Sequence, residues 1–395
     1  MNTRYFFKIT LLLCGVMFVF SSCRKDYAIN PNITEYETDL QQFEVVWSGI
    51  NTAYVLWPID TTDWDAIYDK YYPVFKEMDN KPDSVWKAAW NELTSTLIDH
   101  HMNMYINRKN SSAFISLAIG KTEVESRAYY HTPLTPQQRI HSLNNLIDQG
   151  LLYNVVVDSI NNLKRYFSGI IDNNIVYMYA SSFMDITLCE LNTFKNFKQL
   201  VANDNTKAVI IDVRDNVGGS NNNLIDLISC FTTEKVQIGY SQTKLGLDRY
   251  DLTPKMNDVL TPRPDSQNKN VPIIVLTNIN SASCSEITAI AVRQLPQGYV
   301  VGERTFGATC GYNENFEILQ SGPFGEGDVH YSSSHYVLTA KYLFTGVDGT
   351  VYEGHGVDPD VECLFDQSAW NNGIDNQLEC AIEFAKNKID ENINK

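Results

Sequence analysis

Apolar residues recur every three to four positions through the front of the chain. Between Thr38 and Tyr54 they are Leu40, Phe43, Val46, Trp47, Ile50 and Tyr54. Residues three and four apart share one face of a helix, so this spacing predicts an amphipathic helix. Asp60-Thr61-Thr62-Asp63 is a start signal for a second helix carrying Trp64, Ile67, Tyr68, Tyr71, Tyr72 and Phe75. Asp83-Ser84 opens a third, with Val85, Trp86, Ala89, Trp90, Leu93 and Leu97, and Asn103 to Asn107 reads as a strand. The many aromatics on these helices read as packing rather than as a ligand site.

The pattern is weaker over residues 108–165. Thr135-Pro136-Gln137-Gln138 opens a helix through Ile147, and Val157 to Phe167 is a further candidate helix. Short apolar runs then alternate with helical periods. Ile175 to Ala180 and Lys207 to Val213 read as strands, and Asp185 to Leu200 and Leu224 to Phe231 as helices. Such alternation predicts a mostly parallel sheet joined by crossovers. After Gly311 the chain reads as a β-rich meander including Tyr336-Val337-Leu338 and Val351-Tyr352. Ile374 to Ile389 reads as a closing helix.

One stretch of this alternation carries candidate chemistry. Val271 to Asn278 reads as a buried strand, and Ser281-Ala282-Ser283-Cys284-Ser285-Glu286-Ile287 follows it. Ile287, Ile290 and Ala291 then fall near helical spacing. A serine therefore stands where a strand ends and a helix begins, beside free backbone N–H groups and the positive end of a helix dipole. That setting suits an acyl-transfer nucleophile. The same letters, Ser283-x-x-Glu286, also spell a capping box, which opens helices in proteins of every kind.

Charge and the N-terminus narrow the options. The chain has 395 residues, 31 Lys and Arg against 47 Asp and Glu, and a formal charge of −16. Nucleic-acid binding rests on cations neutralising phosphates, so a nucleic-acid partner is not expected. Arg4 and Lys8 precede an apolar run from Ile9 to Phe20, and Phe20-Ser21-Ser22-Cys23 follows. This resembles a bacterial lipoprotein signal, which implies removal of residues 1–22, a lipid on Cys23 and a tether over residues 23–37. The alternatives are a plain cleaved secretory signal or an uncleaved anchor. Export to the cell envelope is the expectation. The later cysteines, Cys189, Cys230, Cys284, Cys310, Cys363 and Cys380, form no CxxC pair, so neither a zinc site nor a dithiol redox motif is expected. Some could pair as disulfides in an exported protein, including Cys284 with Cys310.

Five separated segments resemble the S41 family of serine endopeptidases, which contains the C-terminal processing and tricorn-type proteases. They are Val209-Ile210-Ile211-Asp212-Val213-Arg214 through Gly218-Gly219, Ser281 to Glu286, Val301 to Gly307, Tyr352-Glu353-Gly354-His355-Gly356-Val357-Asp358-Pro359-Asp360, and Leu97-Ile98-Asp99-His100-His101. The resemblance implies an α/β fold. Its core is crotonase/ClpP-like over residues 166–370, with an N-terminal helical region over 38–107 and a β-rich C-terminal part. A C-terminal helix occupies 371–395. Many members carry a PDZ domain, but residues 108–165 are too short for a complete one and read as a linker or helical insertion.

The resemblance assigns the nucleophile to Ser283. It assigns the oxyanion hole to the N–H groups of Cys284 and one of Gly218 or Gly219, where glycine lets the backbone approach the developing anion. Processing-type members take their base from a lysine in the Thr-Phe-Gly-Lys stretch. Here that position is Ala308, which cannot take a proton. Tricorn-type members use a histidine from the front turn and a glutamate from the closing motif, which correspond here to His101 and Glu353. The expectation is a Ser283–His101–Glu353 triad hydrolysing peptide or protein substrates through an acyl-enzyme, without metal or cofactor. His100 and His355 are the competing histidines. Arg214 and Asp212 read as structural or substrate-positioning groups. A rival reading, motivated by Ala308, is an inactive relative that binds peptides or a partner protein.

Overall fold

The computed structural model describes residues 38–393 apart from 110, 173, 185 and 312–334. The signal segment, Cys23 and the tether lie outside the described residues. Three helices form the front: α1 (Asp39–Ala53), α2 (Trp64–Lys76) and α3 (Asp83–Thr94). Thr38 caps α1 by accepting the Gln41 N–H, and Asp63 caps α2 by accepting the Ala66 N–H. Their apolar stripes meet in an aromatic cluster. Phe43 stacks on Phe75 with centroids 4.7 Å apart, and Trp47 and Trp64 exchange indole-to-carbonyl hydrogen bonds. Among the described residues no helix is long and apolar enough to cross a membrane.

The chain continues through β1 (Asn103–Asn107), β2 (Phe114–Ala118), α4 (Ile119–Ser126) and α5 (Pro136–Asp148), where Thr135 and Gln138 complete a capping box. Next come β3 (Leu152–Ile160) and β4 (Leu163–Ile171). These two strands overturn the expected helix at 157–167. Asn161 and Asn162 both sit at positive φ, 51° and 63°, the conformation of a tight hairpin turn. The three valines at 155–157 belong to a strand. The hairpin also crosses residue 166, so the expected domain boundary cuts through one sheet.

The remaining elements build an α/β core. They are β5 (Ile175–Ala180), α6 (Asn192–Ala202), β6 (Ala208–Asp212), α7 (Asn221–Ile228), β7 (Val236–Thr243), β8 (Met256–Leu260), β9 (Ile273–Thr277), α8 (Cys284–Arg293) and β10 (Gly298–Gly302). The last part holds β11 (His335–Leu338), β12 (Tyr342–Gly346), β13 (Val361–Glu362), α9 (Gln367–Asn371) and α10 (Asn376–Ile393). Helix α6 starts later than expected, after a short 3-10 turn at Leu188–Glu190, and Asp185 lies outside the described residues. Val351-Tyr352 is not a strand; the meander uses 342–346 instead. Strands β7 and β8 have no counterpart in the sequence expectation.

A seven-stranded sheet runs in the order β13-β10-β9-β6-β5-β4-β3. It is parallel from β13 to β5 and antiparallel across β5, β4 and β3. Alternate residues face opposite cores, as strand geometry requires. Val209 and Ile211 join the cluster shared with α6, α7 and α8, whereas Ala208 and Ile210 join the one shared with α5 and α10. Burial on both faces explains why these strands read as unbroken apolar runs. Two small sheets, β11-β1-β2 and β12-β7-β8, complete the fold. A disulfide, Cys363–Cys380, joins the segment after β13 to α10, while Cys284 and Cys310 are free thiols.

Candidate active site

The site gathers where β9 ends and α8 begins. Ser281 and Ser285 are fully buried, and their hydroxyls donate to main-chain carbonyls, Ser281 to Val213 at 2.8 Å and Ser285 to Asn216 at 2.9 Å. Ser283 alone of the three is partly exposed. Its backbone has φ 56° and ψ −123°, a conformation L-residues rarely hold and that costs roughly 1–3 kcal/mol. The surrounding contacts must therefore impose it.

Glu286 supplies much of that constraint. Its carboxylate is fully buried and accepts the Ser283 N–H at 2.9 Å and the Ala308 N–H at 2.8 Å on one oxygen. The other oxygen accepts from the Thr305 hydroxyl and the Gly307 N–H. Burial pushes its pKa up to about 7, against the lowering effect of these donors. The capping-box glutamate thus ties the Ser283 main chain to the 305–308 loop.

The glycine pair lies against the serine. A Cβ on Gly218, at φ 93°, would sit 2.7 Å from both Ser283 Cβ and the Cys284 nitrogen, so only glycine fits. The two expected oxyanion donors are not equivalent. Gly218 donates its N–H to Asn216 Oδ1 at 2.8 Å. Asn216 also bonds the Ala180 carbonyl, and its own carbonyl accepts from Ala282 and Ser285, so this side chain sets the whole loop. Sequence reasoning missed Asn216. Its signal was the polar residue just before Val217-Gly218-Gly219.

The Asp99-His100-His101 turn approaches from the front half. Asp99 is buried and accepts from the His101 N–H, the Thr339 hydroxyl and the Ala340 N–H. Burial raises its pKa to about 6. The two histidines point to different surroundings. His100 Nδ1 lies 3.1 Å from the Phe306 carbonyl, and its Nε2 lies 3.9 Å from Glu123. His101 lies beside Cys310 and Gly311: a Cβ on Gly311 would be 3.9 Å from His101 Cε1 and 2.9 Å from Tyr342 Oη. Tyr342 in turn senses Cys310 and Cys284, the residue after Ser283. The 305–311 loop therefore touches both regions: its Gly307 and Ala308 amides share Glu286 with the Ser283 N–H, and Gly311 lies beside His101. Burial first, and His100 second, lower the His101 pKa to about 4, so the imidazole is neutral at physiological pH.

Glu353 reaches this turn through the main chain. One carboxylate oxygen accepts the His100 N–H at 2.8 Å, and the other accepts Thr309 and Cys310 N–H at 2.7 and 2.6 Å. Burial, with Asp99 nearby, holds its pKa well above the usual range. These bonds make Glu353 a strut between the histidine turn and the 309–310 loop. His355 faces away, pairing with Asp358 and Arg304. Asp212 and Arg214 are fully buried in an ion-pair network with Asp375, which makes them structural. Among the described residues no cluster of His, Cys, Asp or Glu is arranged to hold a metal ion.

The profile of Peptidase family S41 matches residues 174–363. Residues 174–363 therefore form a region of the peptidase family S41 type. Within it, the chain is 29% identical over 202 residues to a tricorn protease of Thermoplasma volcanium, covering 50% of this chain and 16% of that protein. It is 26% identical over 192 residues to a carboxy-terminal-processing protease of Bartonella bacilliformis, covering 48% and 39%. The chain thus spans a minor part of the length of these S41 relatives. A crystal structure of a candidate peptidase from Parabacteroides merdae shares the fold, with TM-score 0.65 at 22% identity over 89% of this chain and 97% of that one. Mature CPAF shares it with TM-score 0.57 at 13% identity over 88% and 96%.

Proposed function

We propose that this chain is a serine endopeptidase with Ser283 as nucleophile and His101 as general base. The observation that carries the reading is Ser283 itself. It is a partly exposed serine at positive φ on a helix N-terminus, with Gly218 pressed against its Cβ. Ser283 Oγ attacks the scissile carbonyl carbon as neutral His101 takes its proton. The Cys284 and Gly219 N–H groups receive the oxyanion, since Gly218 is bonded to Asn216. Collapse transfers the proton to the leaving amine, and water then hydrolyses the acyl-enzyme. Glu353 acts by fixing the His100 and Cys310 main chain.

The test is labelling by a fluorophosphonate probe, together with cleavage of an unstructured protein such as casein. Wild type should label and cleave, and Ser283→Ala should do neither. Equal labelling of the two would reject Ser283. One observation favours the inactive peptide-binding reading: Ala308 occupies the lysine position of processing-type relatives. An unlabelled wild type that still binds peptides would support that reading instead.

A further inference from the structure

A cleft of about 360 Å³ opens beside the candidate site. Its floor is one face of the sheet β12-β7-β8, and its walls are α7 and α8. Helix α7 follows the Gly218-Gly219 loop directly, and Ile287, on the wall from α8, lies one helical turn beyond Ser283. The cleft therefore begins where a substrate's acyl side would lie.

Register decides what faces this space. The β7–β8 pairing passes from Gln237↔Val259 to Gly239↔Asp258, leaving Ile238 as a bulge. Asp258 therefore falls on the same face as Ser241, which pairs with Phe344 of β12. Gly239 stands opposite Asp258. A Cβ there would meet the Thr345 carbonyl at 2.2 Å and the Phe344 ring at 2.7 Å, so the strand can offer no side chain at that point.

Most of the lining is apolar, including Leu224, Ile287 and Phe344. Asp258 brings the one carboxylate. It is partly buried, and the Ser241 hydroxyl donates to its Oδ1 at 2.9 Å. Among the described residues no lysine or arginine forms a salt bridge with it; burial raises its pKa and Ser241 lowers it. A half-buried carboxylate without a cation, at the side of an apolar cleft, complements a side chain with an apolar stem and a cationic tip.

We infer that this cleft receives the substrate residue on the acyl side of the scissile bond, and that Asp258 selects lysine or arginine there. The inference rests on the peptidase reading for its orientation, and the test separates the two. One arm measures kcat/KM on fluorogenic peptides differing only in that residue: lysine, arginine, norleucine, leucine or glutamate. Wild type should favour lysine and arginine over norleucine by tenfold or more. Asp258→Asn, which keeps an acceptor for Ser241, should lower the ratio of lysine to norleucine kcat/KM at least tenfold. A wild-type urea midpoint reports that the variant is folded. The second arm uses Ser283→Ala protein and peptides ending in lysine or norleucine, with binding read by fluorescence anisotropy.

Cleavage without a cationic preference would overturn the pocket and leave the peptidase reading standing. Tighter binding of the lysine peptide, abolished by Asp258→Asn, in a protein that cleaves nothing would keep the pocket and overturn hydrolysis. No cleavage and no lysine preference in binding would overturn both.

Discussion

Glu286→Gln is the sharpest perturbation of the candidate site, because it removes a charge and adds almost no change in shape. The carboxylate receives four donors: Ser283 N–H and Ala308 N–H on one oxygen, Thr305 Oγ1–H and Gly307 N–H on the other. A carboxamide has one acceptor oxygen and two N–H donors. Its better orientation keeps oxygen toward Ser283 and Ala308. The NH2 then faces Thr305, whose hydroxyl can turn to accept, and the Gly307 N–H, which cannot. One buried N–H left unsatisfied costs about 1–3 kcal/mol, and two charge-assisted bonds become neutral ones. The sum is roughly 2–5 kcal/mol, a large share of a typical folding stability of about 5–15 kcal/mol. The opposite orientation is worse, since it sets donors against both the Ser283 and Ala308 amides. Urea unfolding should show a lowered midpoint. At a concentration where both proteins remain folded, fluorophosphonate labelling should slow by about tenfold or more, because Ser283 relaxes from its strained φ. A variant with wild-type midpoint and wild-type labelling would refute the claim that this carboxylate holds the nucleophile in place.

The pH profile tests the base. His101 has a depressed pKa, so the folded protein binds this proton only toward pH 4, whereas the unfolded chain binds it below about 6.5. The acid limb of kcat/KM should fall well below 6.5, and this group's contribution to stability is present above 6.5 and lost as pH falls toward 4. Asp99 and Glu286 are shifted upward, so their contributions run the other way, weakening as pH rises toward 6 and 7. A limb near 7 that vanishes in Glu286→Gln belongs to Glu286, and a limb fixed at 6.5 in both proteins would exclude His101. Gly218→Ala should abolish labelling: its Cβ would sit 2.7 Å from Ser283 Cβ at a φ of 93°, and normal labelling would mean the two segments are not in contact.

Some of this was written plainly in the sequence. The buried run 273–277 followed by small residues and a helical period located Ser283, because a doubly buried strand and a helix start each leave a local signature. The choice of Ser283 over Ser281 and Ser285 needed the resemblance first, and the structure then gave its physical reason in the carbonyls that hold the other two hydroxyls. The hairpin β3–β4 was misread because an apolar run with gaps of three mimics helical spacing, and only the paired asparagines at 161 and 162 marked the turn. Strands β7 and β8 were invisible because β8 is mostly exposed and its Met-Asn-Asp-Val-Leu run has no alternation of apolar and polar residues, so Asp258 could not be read as part of a cleft. Glu353 was found as a residue but not as a contact. Its three amide partners lie 44, 43 and 253 positions away, and no local pattern encodes such pairing.

Ala308 and the two buried glutamates belong to one arrangement. Glu286 grips Ser283 and the 307–308 amides, and Glu353 grips the 309–310 amides and His100. The segment from Gly307 to Cys310 is thus held at one end to the nucleophile and at the other to the histidine turn. The Ala308 contact with Glu286 is made by its backbone N–H, so it does not depend on the side chain at 308. With alanine there, Glu286 receives three main-chain amides and the Thr305 hydroxyl. Ser283 and the His100–His101 turn are thus both tied to one four-residue segment through backbone amides on two carboxylates. Loss of either glutamate should shift the serine and the histidine relative to each other, and loss of both should add little to the damage done by one, since a segment released at one end no longer fixes the other.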